Sequence, residues 1–371
     1  MGDQAPKSSV PPARRDLIQR FRSRELAALA RAISLVENET DGFEALLEAL
    51  HDGVGRARRI GITGPPGAGK STLTASLARA LRDRGDRVGV IAVDPTSPFT
   101  GGALLGDRVR MDDLATEPGI FIRSMASRGS AGGLATSSSE VADLMDAFGY
   151  GVILLETVGV GQSELEIATS ADTTVLVLVP ESGDAIQAMK AGLMEVADIL
   201  VVNKADRPGA DRLKRELEVA TGLRRGAGAF GPPAHHGVDL SSLAPASGDR
   251  AGPVPGPGRA ARETESGSAD WSVPVLACVA SRGDGVADLL SRLDAHRAWL
   301  ESSGRLTDRR RDAGRERARA VLDRAVRRRA AEAWDRWRSS GERTPGADSP
   351  YEIARRLLRE TLGSDRPDGS G

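Results

Sequence analysis

The residues Gly64-Pro65-Pro66-Gly67-Ala68-Gly69-Lys70-Ser71-Thr72 complete the pattern G-x-x-x-x-G-K-[ST], and each type has a task in holding a nucleoside triphosphate. Glycines let backbone N–H groups wrap the α- and β-phosphates, and a helix opening at the loop's end adds its positive dipole. The Lys70 ammonium reaches the β- and γ-oxygens, while the Ser71 hydroxyl is a hard ligand suited to Mg2+. RIGIT before the loop reads as a strand and STLTASLARAL after it as a helix, which is the context the motif requires. A second motif, Asn203-Lys204-Ala205-Asp206, follows the apolar run ADILVVN. The Asp206 carboxylate can accept hydrogen bonds from the ring N–H and exocyclic amine of guanine, a donor pair adenine lacks at that edge, so GTP/GDP is the expected nucleotide. A helix cap is the plainer reading of NKAD. Against it, the motif uses one of only two asparagines and one of only five lysines in a chain with 51 basic residues. Lysine's compact charge is kept where an arginine fork will not serve.

Acidic groups fall between the two motifs. Asp94 ends the run RVGVIAV, Asp107 follows in a Gly-rich stretch, and Glu156 ends GVILLE. With Ser71, these three are the candidate hard-oxygen ligands for Mg2+ or its waters. Gly159 follows Glu156 by three residues, where a backbone N–H can meet the γ-phosphate. The next position holds Val160, whose side chain cannot orient an attacking water; Gln162 is the nearest polar group beyond it.

Placing these groups requires a particular architecture. From residue 59 to about 298, short Val/Ile/Leu runs alternate with amphipathic helical patterns: RIGIT, RVGVIAV, GVILLET, TTVLVLV, ADILVVN and VPVLACVA. Such runs indicate an α/β fold with a mostly parallel sheet flanked by helices, its ligand site at the carboxyl ends of the strands. Residues 1–13 are expected to be disordered, 14–55 to form a helical extension and 56–300 the nucleotide domain. An insertion at about 224–270, rich in Gly, Pro and Ser, is also expected to be disordered. It contains His235-His236, read as a solvated pair. Residues 305–371 are expected to form an Arg-rich helical dimerisation arm with Ala318, Val321, Leu322 and Ala325 on one face, the stripe of Val321, Leu322, Trp334 and Trp337 meeting a second copy. A solvated charged face, a protein–protein arm and a nucleic-acid surface are its competing readings.

Composition excludes several classes. One cysteine, Cys278, rules out an internal disulfide, and with four histidines it leaves little for a soft-metal centre. Net charge is −1, so no nucleic-acid partner is expected. No apolar run reaches the roughly 18–20 residues of a membrane span, which predicts a soluble, cytoplasmic protein with no membrane partner.

In this order, the phosphate loop, DPTSPFTGGALLGDRVRM, ETVGVGQSE, GDAIQAMKAGLMEVAD and NKAD resemble the MeaB/ArgK-type P-loop GTPases. The resemblance implies a P-loop NTPase fold and a homodimeric, Mg2+-dependent GTPase. It would serve as chaperone to an adenosylcobalamin-dependent acyl-CoA mutase of the methylmalonyl-CoA mutase type, gating cofactor loading and protecting the mutase. It also implies that Gly183, Asp184, Gln187, Lys190 and Glu195 lie in an additional switch signalling to the mutase, with Lys190 a catalytic candidate beside Lys70, Gly159 and Gln162. The chain departs from the family pattern in its long insertion and in Val279-Ala280, where Ser-Ala is usual; the Ala280 backbone N–H is expected to meet the guanine carbonyl. Alternatives are a GTPase serving metal insertion, a kinase or transport ATPase of the ArgK kind, a protein-targeting GTPase and a nucleic-acid-binding GTPase. Scarce Cys and His, NKAD, six methionines and the near-zero net charge respectively count against them.

Overall fold

The computed structural model describes residues 12–95, 114, 116–127, 133–157, 170–180, 192–226, 270–340 and 349–362. Branched side chains pack well on a pleated surface covered on both faces, and the Val/Ile/Leu runs form strands accordingly. These are β1 (Arg58–Thr63), β2 (Val88–Pro95), β4 (Val152–Thr157), β5 (Thr173–Leu178), β6 (Ile199–Val202) and β7 (Val275–Ala277), the last only three residues of VPVLACVA. A seventh, β3 (Ile120–Ser127), was not expected. It pairs with β2 from Val88↔Ile120 to Pro95↔Ser127. Its apolar run is broken by Arg123, which Glu37 and Ser34 hold from a flanking helix. The sheet is parallel throughout, in the order β3-β2-β4-β1-β5-β6-β7. The α/β expectation therefore holds.

Successive residues of a strand face opposite sides of the sheet, and here they feed separate cores. On one side Ile60, Ile62 and Leu154 meet Leu73, Leu77 and Leu81 of α4 (Lys70–Asp83) and Leu289 and Leu293 of a later helix, α8 (Val286–Ser302). On the other, Ile153 and Leu155 meet α5 (Gly133–Ala147) and the N-terminal helices α1 (Pro12–Arg22), α2 (Leu26–Glu37) and α3 (Phe43–Leu50), through Phe21, Leu29, Ile33 and Phe43. The N-terminal helices thus complete one face of the sheet. A third core lies under α6 (Leu193–Val196) and α7 (Ala210–Gly226).

After Gly304 the chain forms α9 (Arg305–Ser339), 35 residues and so roughly 52 Å long, then α10 (Pro350–Leu362). The face α9 turns to the body is built of arginines, and Ala318 and Leu322 of the apolar stripe are exposed. Arg309 donates to Asp198 at 2.6 and 2.8 Å, and Arg310 to Asp172 at 2.7 and 2.8 Å. Arg317 pairs with Asp143, and Arg324 with Glu140 at 2.6 and 3.0 Å. Burial opposes ionisation of Asp198, yet hydrogen bonds and charge from Arg309 and His296 overcome it and lower its carboxyl to about 2. At Glu140 burial prevails, and the carboxyl lies above its ordinary value despite Arg324.

Candidate nucleotide site

Strand β1 lies between β4 and β5, so the phosphate loop leaves the middle of the sheet at its carboxyl edge, with the ends of both neighbours beside it. Only glycine fits two of its positions. Gly64 has φ +138°, and a Cβ there would sit 2.1 Å from the Val177 carbonyl oxygen. Gly69 has φ +82°, and its Cβ would sit 2.5 Å from Asn203 Nδ2. Pro66, Gly67 and Thr72 are exposed, whereas Ala68 is buried. Lys70, 6% exposed, donates from Nζ to the carbonyls of Gly64 (2.7 Å) and Pro65 (3.0 Å). Ser71 Oγ donates to Glu156 Oε1 at 2.5 Å, both residues buried. The two candidate metal-ligating oxygens from separate elements are thus side by side. Asp94 lies at the same end of the sheet, one residue beyond the Val93↔Thr157 pair; its side chain lies outside the described residues. So do Asp107, Gly159, Gln162, Lys190, His235, His236 and nearly all of the 224–270 insertion.

The base-reading motif follows β6 and is tied to the phosphate loop by side chains. Buried Asn203 donates from Nδ2 to Ala68 O (2.8 Å) and accepts from the Ala280 amide at Oδ1 (3.1 Å). One side chain therefore joins three loops, those after β1, β6 and β7. Lys204, at φ +55°, lays its ammonium on Gly67 O at 2.9 Å. Ser76 of α4 fastens the third loop again by donating to Ala280 O at 2.7 Å. The half-exposed Asp206 carboxylate has Arg282 Nη1 at 3.5 Å.

The Ala280 amide, expected at the guanine carbonyl, donates to Asn203 Oδ1 in this structure. The next amide, Ser281, is exposed and without a backbone partner among the described residues. Ser281, Ser76 and Arg282 were all missed from the sequence.

A family model described as methylmalonyl Co-A mutase-associated GTPase MeaB matches residues 29–335. A Pyrococcus abyssi protein named as a GTPase is 41% identical over 351 residues, covering 94% of this chain and 97% of that one. GTPase ArgK of Escherichia coli is 46% identical over 193 residues, 51% of this chain and 58% of that one. A crystal structure described as LAO/AO transport system kinase matches 96% of this chain and 100% of its own, with a TM-score of 0.60 and 26% identity.

Proposed function

The chain belongs to the methylmalonyl-CoA mutase-associated GTPase (MeaB) family and is a P-loop GTP hydrolase, and from that premise we propose that it is a Mg2+-dependent switch serving an adenosylcobalamin-dependent acyl-CoA mutase. In this reading GTP hydrolysis gates cofactor loading and protects the mutase. The observation that supports a switch is the Asn203 junction: base reading and phosphate binding share one hydrogen-bonded unit, so nucleotide state is felt by all three loops together. The family's own description names the client enzyme.

The chain's residues divide the work. Lys70 exchanges loop carbonyls for the β- and γ-oxygens, Asp206 and the Ser281 amide read guanine, and Asn203 holds both readers in register. Ser71 and Glu156 fit Mg2+, being adjacent hard-oxygen groups at a buried strand end. There the ion would offset phosphate charge. Asp94 and Asp107 are proposed as further oxygen ligands, and Gly159 as a γ-phosphate amide.

We place the dimer contact at the far end of the arm. Trp334 and Trp337 lie 5.0 Å apart between centroids with their planes tilted by 39°, and Trp334, Tyr351 and Leu358 are 47%, 78% and 48% exposed. A partner copy would cover this apolar surface. Ending the chain at residue 329 keeps the arginine seam and removes that surface, and light scattering should then report a monomer; a monomeric full-length protein removes the proposal. Among the described residues no helix is long and apolar enough to cross a membrane, and a cytoplasmic site of action is part of this reading.

Single-turnover GTP hydrolysis with and without the mutase tests the whole. Acceleration by the mutase supports the switch. Equal affinity for ATP and GTP, or a fast rate indifferent to the mutase, overturns it.

A further inference from the structure

The end of the sheet opposite the phosphate loop carries a group of arginines with no acidic partner among the described residues. β1 spans Arg58–Thr63, about 20 Å at 3.3 Å per residue, and this separates the two ends. Arg24 sits in the turn between α1 and α2 at φ +64°, a conformation unfavourable for a residue with a Cβ. It donates from Nη1 to Ala147 O at 2.8 Å, and its guanidinium lies against Gly149 and 5.6 Å from the Phe148 ring centroid. Arg87, just before β2, lies 4.8 Å from the Tyr150 centroid and 5.7 Å from that of Phe148. Arg56 has its backbone pinned by Asp146, while its side chain makes no hydrogen bond or ion pair among the described residues. All three are exposed. Partial burial and then the charges of Arg87 and Arg56 pull the Arg24 guanidinium below its ordinary value.

Neighbouring acids do not relieve this: Asp146 is buried and spent on the amides of Gly55 (2.7 Å) and Ala57 (2.9 Å), and Glu25 pairs with Arg20. Among the described residues no carboxylate lies within ion-pair distance of Arg24, Arg56 or Arg87. Three positive charges are therefore held together by ring faces, a carbonyl and fixed backbone, against their mutual repulsion and with no counter-charge among the described residues.

We propose that Arg24, Arg56 and Arg87 form a docking surface for an acidic segment of a partner protein, at the amino ends of β2 and β4. Charge complementarity identifies the occupant. Exposed ion pairs are each worth under about 1 kcal/mol, so a lone small anion gains little here, whereas several carboxylates on one segment add their contributions. Nucleic acid is bound through longer tracks of roughly 6–10 phosphate contacts. The rings beneath the arginines are buried and offer no stacking platform for bases. The surface is remote from the nucleotide and does not depend on the GTPase reading.

The test is fluorescence anisotropy of a labelled oligoglutamate peptide with the full-length protein, at low and physiological salt. Binding should weaken with salt. It should fall about threefold in Arg56→Glu, and about tenfold in the combined Arg24→Gln, Arg56→Gln and Arg87→Gln variant. Arg329→Glu on the arm should bind like the parent, and GTP turnover should be unchanged in Arg56→Glu. Since Arg24 also packs against the fold, the exposed Arg56→Glu variant alone decides if the combined one fails to fold. Parent-like binding by Arg56→Glu, equal weakening by Arg329→Glu, displacement of the peptide by inorganic phosphate alone, or tighter binding of an oligouridine through the same arginines would each overturn the proposal.

Discussion

Asp206 is proposed to pair two guanine donors through one carboxylate, and that sets the first expectation. Asp206→Asn should weaken GTP and gain xanthosine triphosphate, whose 2-oxo group suits an amide donor; competition binding with both nucleotides checks it. Asn203→Ala leaves Ala68 O and the Ala280 amide unpartnered, at about 1–3 kcal/mol each, and should weaken GTP by at least roughly tenfold while lowering the melting temperature. Parent-like GTP affinity in that variant would show that the loops are aligned by other contacts. The phosphate loop and NKAD were legible because wrapping phosphates and pairing guanine admit few residue types at fixed spacing. Ser281 and Arg282 were not, because their places depend on how the loop after β7 meets Asn203 and Asp206, across 77 residues of sequence in the Ala280 contact.

The sheet and the arm differ in how openly the sequence displays them. Central strands are buried on both faces and read as unbroken apolar runs. β3, on the edge, carries Arg123 for Glu37 and so lost the pattern. In α9 the local i,i+4 pairs suggested a solvated face, yet Arg310, Arg317 and Arg324 recur every seventh residue and all reach the body. That period was the available signal. The seam has a pH signature. The folded-state value of Asp198, about 2, lies below its ordinary 3.8. Its stabilisation, about 2 kcal/mol, is therefore present above pH ~4 and lost as pH falls towards 2. Melting temperature against pH should show this acid limb, and Asp198→Asn should flatten it while lowering stability at neutral pH through the stranded Arg309. An unchanged limb would place the acid sensitivity elsewhere.

At the scale of the whole molecule, the expected behaviour is slow basal hydrolysis, since Val160 stands where an orienting glutamine would serve. A partner that orders the switch segments should accelerate turnover at least roughly tenfold, and Lys190→Ala should lose the acceleration while still binding GTP. Single-turnover rates with and without the mutase decide it; a Lys190→Ala protein that responds like the parent would make that lysine an ordinary solvated residue. The arginine seam also bears on how the chain is made. Arg310 closes on the carbonyls of Gly55 and Ala57, which precede it by 255 and 253 residues, and Arg324 reaches back 184 residues to Glu140. At about 5–20 residues per second of synthesis, Glu140 waits roughly 10–40 s for its counter-charge. Every nucleotide motif has been synthesised before the arm's arginines reach Glu140, Asp143, Asp172 and Asp198. A message that stops short of Arg309 would thus encode all of the GTP-binding residues and still yield a protein whose folding has no final step.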